Sequence, residues 1–399
     1  MKKFFAALIK TLLVLVLLLA IGWYAFGEDG PFVEQGQQLL AMAQEKTGLV
    51  IGSRSSDSQN PLEEDDTEVV TTEVEQVEAA AEPVAEVTPE ELTTRIVFTG
   101  DVELSEYVQA NYSAAGVDGV CVPEVQQLMQ NATFTMINNE FCFSERGQKA
   151  PDKQYTFRVN PGYVSLLTDL GVDIAGLANN HVLDYGKDAL TDTFTTLSGA
   201  GIDYTGAGTS LEDASKLIIK TDAKGRTYGF LAASHVIPVG SWNVLNSQPG
   251  EFCFYDETDL LNSIAAARPQ VDYLFVMVHW GVEHTTELTD YQPNDGHKFI
   301  DAGADAVIGM HSHCLQPVEW YNGKPIFYSL GNFIFNKSIK SGGGGAVEVT
   351  LDENDNVTWR IVPITANGAC TSIDAGGYSY VESISSNVAV GEDGVISEK

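Results

Sequence analysis

The chain has 399 residues, 22 Lys and Arg against 55 Asp and Glu, a formal net charge of −33, and 44% hydrophobic residues. That is enough apolar material for one large core or two small ones. The acidic balance excludes nucleic acid as a partner, because phosphate binding needs a basic stripe and none is visible, and it argues against tight docking on anionic lipid.

The N-terminus reads Met1, Lys2, Lys3, then an apolar run from Phe4 to Phe26 broken only by Lys10 and Thr11. At ~1.5 Å rise per residue such a run spans a hydrocarbon core of about 30 Å. Its lysines lie on the N-terminal side, so the positive-inside rule puts the N-terminus in the cytoplasm and the bulk of the chain outside. Trp23 and Tyr24 suit an interfacial anchor, and no small-x-small cleavage site follows. Residues 1–26 therefore predict a single-pass signal-anchor in the cell membrane, with a cleaved signal peptide as the alternative. Residues 27–93 hold a short helical pattern and then an acidic stretch with no basic residue between Arg54 and Arg95. Its charge and low hydrophobicity predict a disordered linker. Five cysteines (Cys121, Cys142, Cys253, Cys314, Cys370) without a CxxC pair read as isolated core thiols rather than a disulfide framework.

A folded domain is expected over residues 94–366, with 367–399 as a C-terminal tail that either adds a strand or stays unstructured. Apolar runs predict strands at Arg95–Thr99, Phe134–Asn138, Ile174–Leu177, Tyr228–Ala232, Tyr273–Val278, Ala306–Gly309 and Pro325–Ser329. Amphipathic patterns predict helices at Val122–Gln130, Gly162–Leu170, Lys187–Gly199, Thr258–Ala267 and Asp295–Ala302. The alternation indicates an α/β fold with a largely parallel central sheet. Ala346–Leu351 and Val357–Val362 flank a hairpin turn signal at 352–356.

Polar residues recur where these strands end: Asp101, Glu140, Asn179-Asn180-His181, His279, and His311-Ser312-His313. The carboxyl ends of strands form the ligand crevice of open α/β sheets. Four of the seven histidines are in this set. Imidazole and carboxylate without thiolate suit Zn, Mn or Fe. His311 and His313, two apart in an extended loop, could both turn toward one ion. Arg146, Lys149, Lys153 and Arg158 cluster just after Glu140. They are either a solvated loop or, through Arg146 and Arg158, a binding surface for an anionic ligand. Trp280 and Tyr155 are pocket wall or core.

The ordered series Thr99-Gly100-Asp101-Val102, Asn138-Asn139-Glu140, Ala178-Asn179-Asn180-His181 with Asp184-Tyr185-Gly186, His279-Trp280-Gly281-x-Glu283, Gly309-Met310-His311-Ser312-His313 with Gln316, and Tyr328-Ser329-Leu330-Gly331-Asn332-Phe333 resembles the CapA family of capsule and poly-γ-glutamate synthesis. It spans about residues 95–366. That family is related to calcineurin-like metallophosphoesterases, so the resemblance implies a four-layer α/β/β/α sandwich holding one or two divalent metal ions. Carried over, Asp101 and His313 would bind a first metal, Glu140 would bridge, and Asn180, His279 and His311 would bind a second. Two ions so placed can clamp a phosphoryl group in line. His181 would be the general acid. Asn179, Glu283 and Asn332 would join Arg146 and Arg158 in contacting substrate. Three positions depart from the related pattern: Glu103 stands where a metal-binding His is usual, Glu140 replaces Asp, and Ser312 replaces Pro.

The resemblance implies a membrane-anchored, metal-dependent hydrolase of a phosphoester or related envelope bond. Its alternative is a non-catalytic component that binds an anionic polymer within a poly-γ-glutamate assembly and export complex, alongside other synthesis subunits.

Overall fold

Strand formation here follows burial on both faces. The runs Tyr273–His279 and Ala306–Met310 are almost wholly buried, and strands enclosed on two sides read as continuous apolar sequence rather than alternation. In the computed structural model the described residues are 92–399 apart from 247. The expected signal-anchor and nearly all of the acidic linker lie outside them. Among the described residues no helix is long and apolar enough to cross a membrane.

Among the described residues two large sheets form, with three two-stranded pairs beside them. The first contains β1 (Thr94–Val102), β2 (Phe134–Asn139), β3 (Ile174–Gly176), β4 (Asp203–Thr205), β11 (Asn332–Ile334), β12 (Ser338–Leu351), β13 (Val357–Asn367) and β14 (Cys370–Ile373). Its order is β14-β13-β12-β1-β2-β3-β4, with β11 also pairing β1. The second contains β5 (Ile218–Thr221), β6 (Thr227–Ser234), β7 (Tyr273–His279), β8 (Ala306–Met310), β9 (Val318–Tyr321) and β10 (Lys324–Phe327), in the order β9-β10-β8-β7-β6-β5. β1 through β4 run parallel, as do β6, β7, β8 and β10. β12, β13 and β14 are antiparallel. The largely parallel central sheet read from the strand–helix alternation is corrected on this point, because alternation does not say which strands share a sheet; the sandwich implied by the resemblance carries two.

Side-chain alternation along β1 shows how the layers stack. Ile96 and Phe98 face the second sheet, where Phe230, Phe275, Met277 and Ile308 meet them. The rings of Phe98 and Phe275 pack edge to face at 5.1 Å. Val97 points the other way, into a core closed by α1 (Glu106–Ala115), α2 (Pro123–Gln130), α3 (Val164–Asp169) and α4 (Gly186–Gly199). On the far face of the second sheet, Leu274, Val276 and Val307 pack under α5 (Thr258–Ala267) and α6 (Tyr291–Asp301). The result is a four-layer α/β/β/α sandwich with a sheet-to-sheet core. Each fully buried side chain of this size contributes about 1.5–3 kcal/mol.

Residues after 366 belong to the fold. β13 runs to Asn367 and β14 extends the first sheet. α7 (Gly377–Ile384) and the hairpin of β15 (Val388–Val390) and β16 (Ile396–Glu398) follow, and they put Val381, Val388 and Ile396 into the inter-sheet core.

Candidate metal centre

Asp101 sits where β1 breaks register. The pairing of β1 with β2 shifts between Phe98 and Asp101, and that with β11 shifts between Asp101 and Val102. Such irregularity re-aims a side chain. Gly100 permits it, because a Cβ there would lie 2.2 Å from the Gly331 carbonyl oxygen, and that oxygen accepts the Asp101 N–H at 2.7 Å. Asp101 is fully buried. Its carboxylate accepts from Asn138 Nδ2 at 2.7 Å and from the His311 backbone N–H at 3.3 Å.

Glu140 follows β2 and His279 ends β7, so the carboxyl ends of both sheets converge on one point. The site lies across two sheets rather than at the crevice of one. His311 and His313 follow β8 with φ of 99° and 54°. Positive φ is uncommon outside glycine and costs about 1–3 kcal/mol where it persists. This kink, not an extended loop, aims the two rings, and it aims them apart. One group comprises Glu140, His279 and His311; the other comprises Asp101, Glu140 and His313. Within each group the ligand atoms lie within 4.8 Å of one another. Glu140 is common to both. Asn180 Oδ1 lies 2.9 Å from His279 Nε2, beside the first group.

These residues fit a metal. Both carboxylate oxygens of Glu140 and Nδ1 of His311 are buried without a hydrogen-bond partner, an arrangement that is costly unless something fills it. Burial, then the neighbouring charge of Asp101, drives the Glu140 carboxyl well above its ordinary range. Burial, then the other histidines, holds His279 well below the usual imidazole range and His311 at about 3, so both rings are neutral, as ligands must be. For His313, burial alone would lower the pKa. The hydrogen bond to Asp101 and the charges of Glu140 and Asp101 outweigh it and raise the ring to about 10. That proton stands where the two carboxylates call for positive charge.

His181 is held differently. Its Nδ1 is 2.7 Å from Asp184 Oδ2 and 3.0 Å from Lys153 Nζ, and its ring stacks on Phe157 at 4.2 Å. Its Nε2 faces Glu140 Oε1 at 4.0 Å. Burial is the largest influence and lowers its pKa, against the raising effect of Asp184. Lys153 also donates to the Asn180 carbonyl and to Asp184. It is the one member of the predicted basic cluster that reaches the site. The other two candidates of that cluster are spent elsewhere: Arg146 pairs with Asp192 at 2.6 Å and is 60% exposed, while Arg158 lies over the Tyr185 ring and donates to the Arg146 carbonyl. Neither guanidinium is placed as a substrate clamp. Asn179 also differs from its expected contact with substrate. It is fully buried, and its amide protons go to Asn138 Oδ1 and the Asn139 carbonyl while its oxygen accepts from the His181 N–H. Asn332 orients His313, with Oδ1 at 2.9 Å from Nδ1. Glu283 is on the exposed rim beside His284. Trp280 is core, donating to the Tyr328 carbonyl.

Two further buried acids stand near the site, one noted in the sequence and one not. Glu103, the position that departs from the expected pattern, belongs to neither ligand group; burial, then Glu106, pushes its carboxyl up to about 8. Glu251 is fully buried with both oxygens unpartnered, and burial pushes its carboxyl well up against the opposing charge of Lys153. Glu251 sits on a two-residue strand and carries no sequence signal. Lys153 was signalled by the basic cluster itself.

The family model for bacterial capsule synthesis protein PGA_cap matches residues 95–337. The PGA biosynthesis protein CapA of Bacillus subtilis is 30% identical over 274 residues, covering 68% of this chain and 71% of that protein. The capsule biosynthesis protein CapA of Bacillus anthracis is 28% identical over 306 residues, covering 74% and 72%. Among solved structures, a "Putative 5'-Nucleotidase from Staphylococcus aureus in complex with alpha-ketoglutarate" aligns with 73% of this chain and 58% of its own at 14% identity and a TM-score of 0.43.

Proposed function

The chain belongs to the bacterial capsule synthesis PGA_cap family, and from that premise we propose that it is a membrane-anchored, metal-dependent hydrolase of a phosphoester or related envelope bond in capsule or poly-γ-glutamate synthesis. The observation that carries the reading is Glu140, an unpartnered buried carboxylate shared by two ligand groups. Asp101 and His313 would hold one cation with it; His279 and His311, with Asn180 beside them, would hold the other. Divalent cations bound there would supply Lewis acidity toward a phosphoryl oxygen. The chain's own residues supply the rest. Asp184 fixes one ring nitrogen of His181, leaving Nε2 turned to the centre, where it can hand a proton to a leaving oxygen. Phe157 and Phe335 pack about the rings of His181 and His313 and keep bulk water from that side.

The test is metal analysis of the purified chain followed by hydrolysis of a panel of phosphomonoesters and phosphodiesters, wild type against His181→Ala. Metal with turnover that falls about 10²–10⁴-fold in the variant supports the reading. A metal-loaded chain that hydrolyses nothing in the panel would overturn the hydrolase assignment. Localisation follows from the apolar run at residues 4–26 and its flanking lysines, and the domain is placed outside the cell membrane. External protease on intact protoplasts should degrade the domain, and full protection would reverse that topology.

A further inference from the structure

Three segments border the centre. Residues 151–157 bring Lys153 and Phe157 to His181. Residues 235–255 are tied in by the His235 N–H, which donates to the His279 carbonyl at 2.8 Å, and by Trp242, whose ring lies 5.3 Å from Lys153 Nζ. Residues 281–290 are tied in by the His284 N–H, which donates to the Ser312 carbonyl at 2.7 Å. Of the eight large apolar side chains exposed among the described residues, five lie on these segments: Tyr155, Val239, Leu245, Tyr255 and Val282. Single exposed apolar groups mean little, but a gathering of them around a site marks a binding surface.

Charge points the same way. Residues 235–249 contain no Asp, Glu, Lys or Arg at all. The exposed carboxylates of the three segments are Asp152, Glu283, Glu287 and Asp290. The single Lys or Arg on them is Lys153, whose ammonium is occupied by Asn180, His181 and Asp184. The three segments are therefore apolar and acidic, and among the described residues the one outside cation shown to touch them is Lys187, which donates to the Gln248 carbonyl at 3.1 Å.

We infer that the ligand is a phosphate ester with one anionic head and an uncharged, hydrocarbon-rich body, the head at the metal centre and the body on the rim of Val239, Leu245 and Tyr255. A polyanion laid along this rim would find no counter-charge among residues 235–249 and would meet like charge at Asp152, Glu283, Glu287 and Asp290. The inference rests on the metal-centre reading above and narrows its substrate class.

The experiment uses the full chain loaded with Mn²⁺ at constant detergent, and measures calorimetric affinity for inorganic phosphate, hexyl phosphate, glutamate and a γ-linked glutamate pentamer. The metal-free chain gives the background of hexyl phosphate partitioning. Hexyl phosphate should bind at least tenfold tighter than inorganic phosphate. Val239→Ser with Leu245→Ser should cut that preference to threefold or less and leave inorganic phosphate unchanged; both side chains are exposed, so the fold is retained. The pentamer should bind no tighter than glutamate. Equal affinity for the two phosphates, or a pentamer that binds tighter than hexyl phosphate, overturns this inference alone. Failure of either phosphate to bind the metal-loaded chain overturns the metal-centre reading and this inference together.

Discussion

Glu140 is the residue on which the two ligand groups depend, so substitutions around it should separate by metal count. Glu140→Gln should cost both ions, because the amide keeps the shape and loses the charge that each group uses. His311→Ala and His313→Ala should cost one ion each, since their kinked backbone sends the rings to different groups. His181→Ala should keep both, because its Nδ1 is already engaged by Asp184. Elemental analysis of metal per chain reads all four; an empty centre in His181→Ala would make that ring a ligand instead of an acid. Protons should report the same event. His313, raised to about 10, carries a proton at neutral pH that an incoming cation displaces. Affinity should then rise from pH 6 to pH 9, with at least one proton released per chain; His311, lowered to about 3, adds nothing in that window. Calorimetry in buffers of different ionisation enthalpy measures this, and zero release at pH 7 would contradict it. The residues of the two groups were legible in the sequence because carboxylate and imidazole stand at successive strand ends. The partners that fix them were not. Nothing in Asn179-Asn180 says which amide turns inward, and no local pattern brings Asp192 to Arg146.

At the scale of elements, the sheets are stitched together at their far edge by the turn between β5 and β6. The Asp222 carboxylate accepts from Thr94 Oγ1 at 2.6 Å, Arg226 Nε at 2.6 Å and Tyr228 Oη at 2.8 Å. Arg226 continues to the carbonyls of Leu92 and Asp352. Burial opposes ionisation, but these hydrogen bonds prevail and hold Asp222 at about 2. A depressed carboxyl stabilises the fold at pH above its unfolded value near 4, and the contribution is lost as pH falls toward 2. Asp222→Asn should therefore cost about 1–3 kcal/mol at pH 7 and should flatten the loss of stability between pH 4 and pH 2. Denaturant unfolding at several pH values would show it; parallel pH curves for wild type and variant would assign the acid sensitivity elsewhere. The long parallel strands and α2, α4 and α5 were readable as runs and periods. The start of α6 was not: the helix begins at Tyr291 rather than Asp295, because Pro293 is tolerated in a first turn that needs no N–H. β11 gains its hydrogen bonds from β1, far away in the chain, and leaves no local pattern, whereas the hairpin of β9 and β10 across Asn322-Gly323 carried a local turn signal that was not read.

For the whole molecule, the sequence reading drew the C-terminal boundary of the domain too early. Gly- and Ser-rich sequence after 366 lacks a period, and beyond the hairpin of β13 and β14 its partners are far away in the chain. β14 pairs with β13 in the first sheet. The Ser385 hydroxyl accepts the Val318 N–H at 2.9 Å, and Asn387 exchanges hydrogen bonds with the backbone of Trp320, so the same segment also grips β9 of the second sheet. Val381, Val388 and Ile396 close the inter-sheet core beside Trp359. Three such side chains contribute about 1.5–3 kcal/mol each, comparable in sum to the ~5–15 kcal/mol that separates a native domain from its unfolded state. A chain ending at Asn367 should therefore unfold at least roughly 10 °C below the full chain, given about 2–4 °C per kcal/mol for large domains, or fail to fold. Val381→Ala with Ile396→Ala, which leaves the backbone pairing in place, should lie between the two. Near-UV circular dichroism on heating measures all three. An unchanged midpoint in the shortened chain would show that the sandwich closes without its C-terminal segment and would return residues 368–399 to the status of a tail.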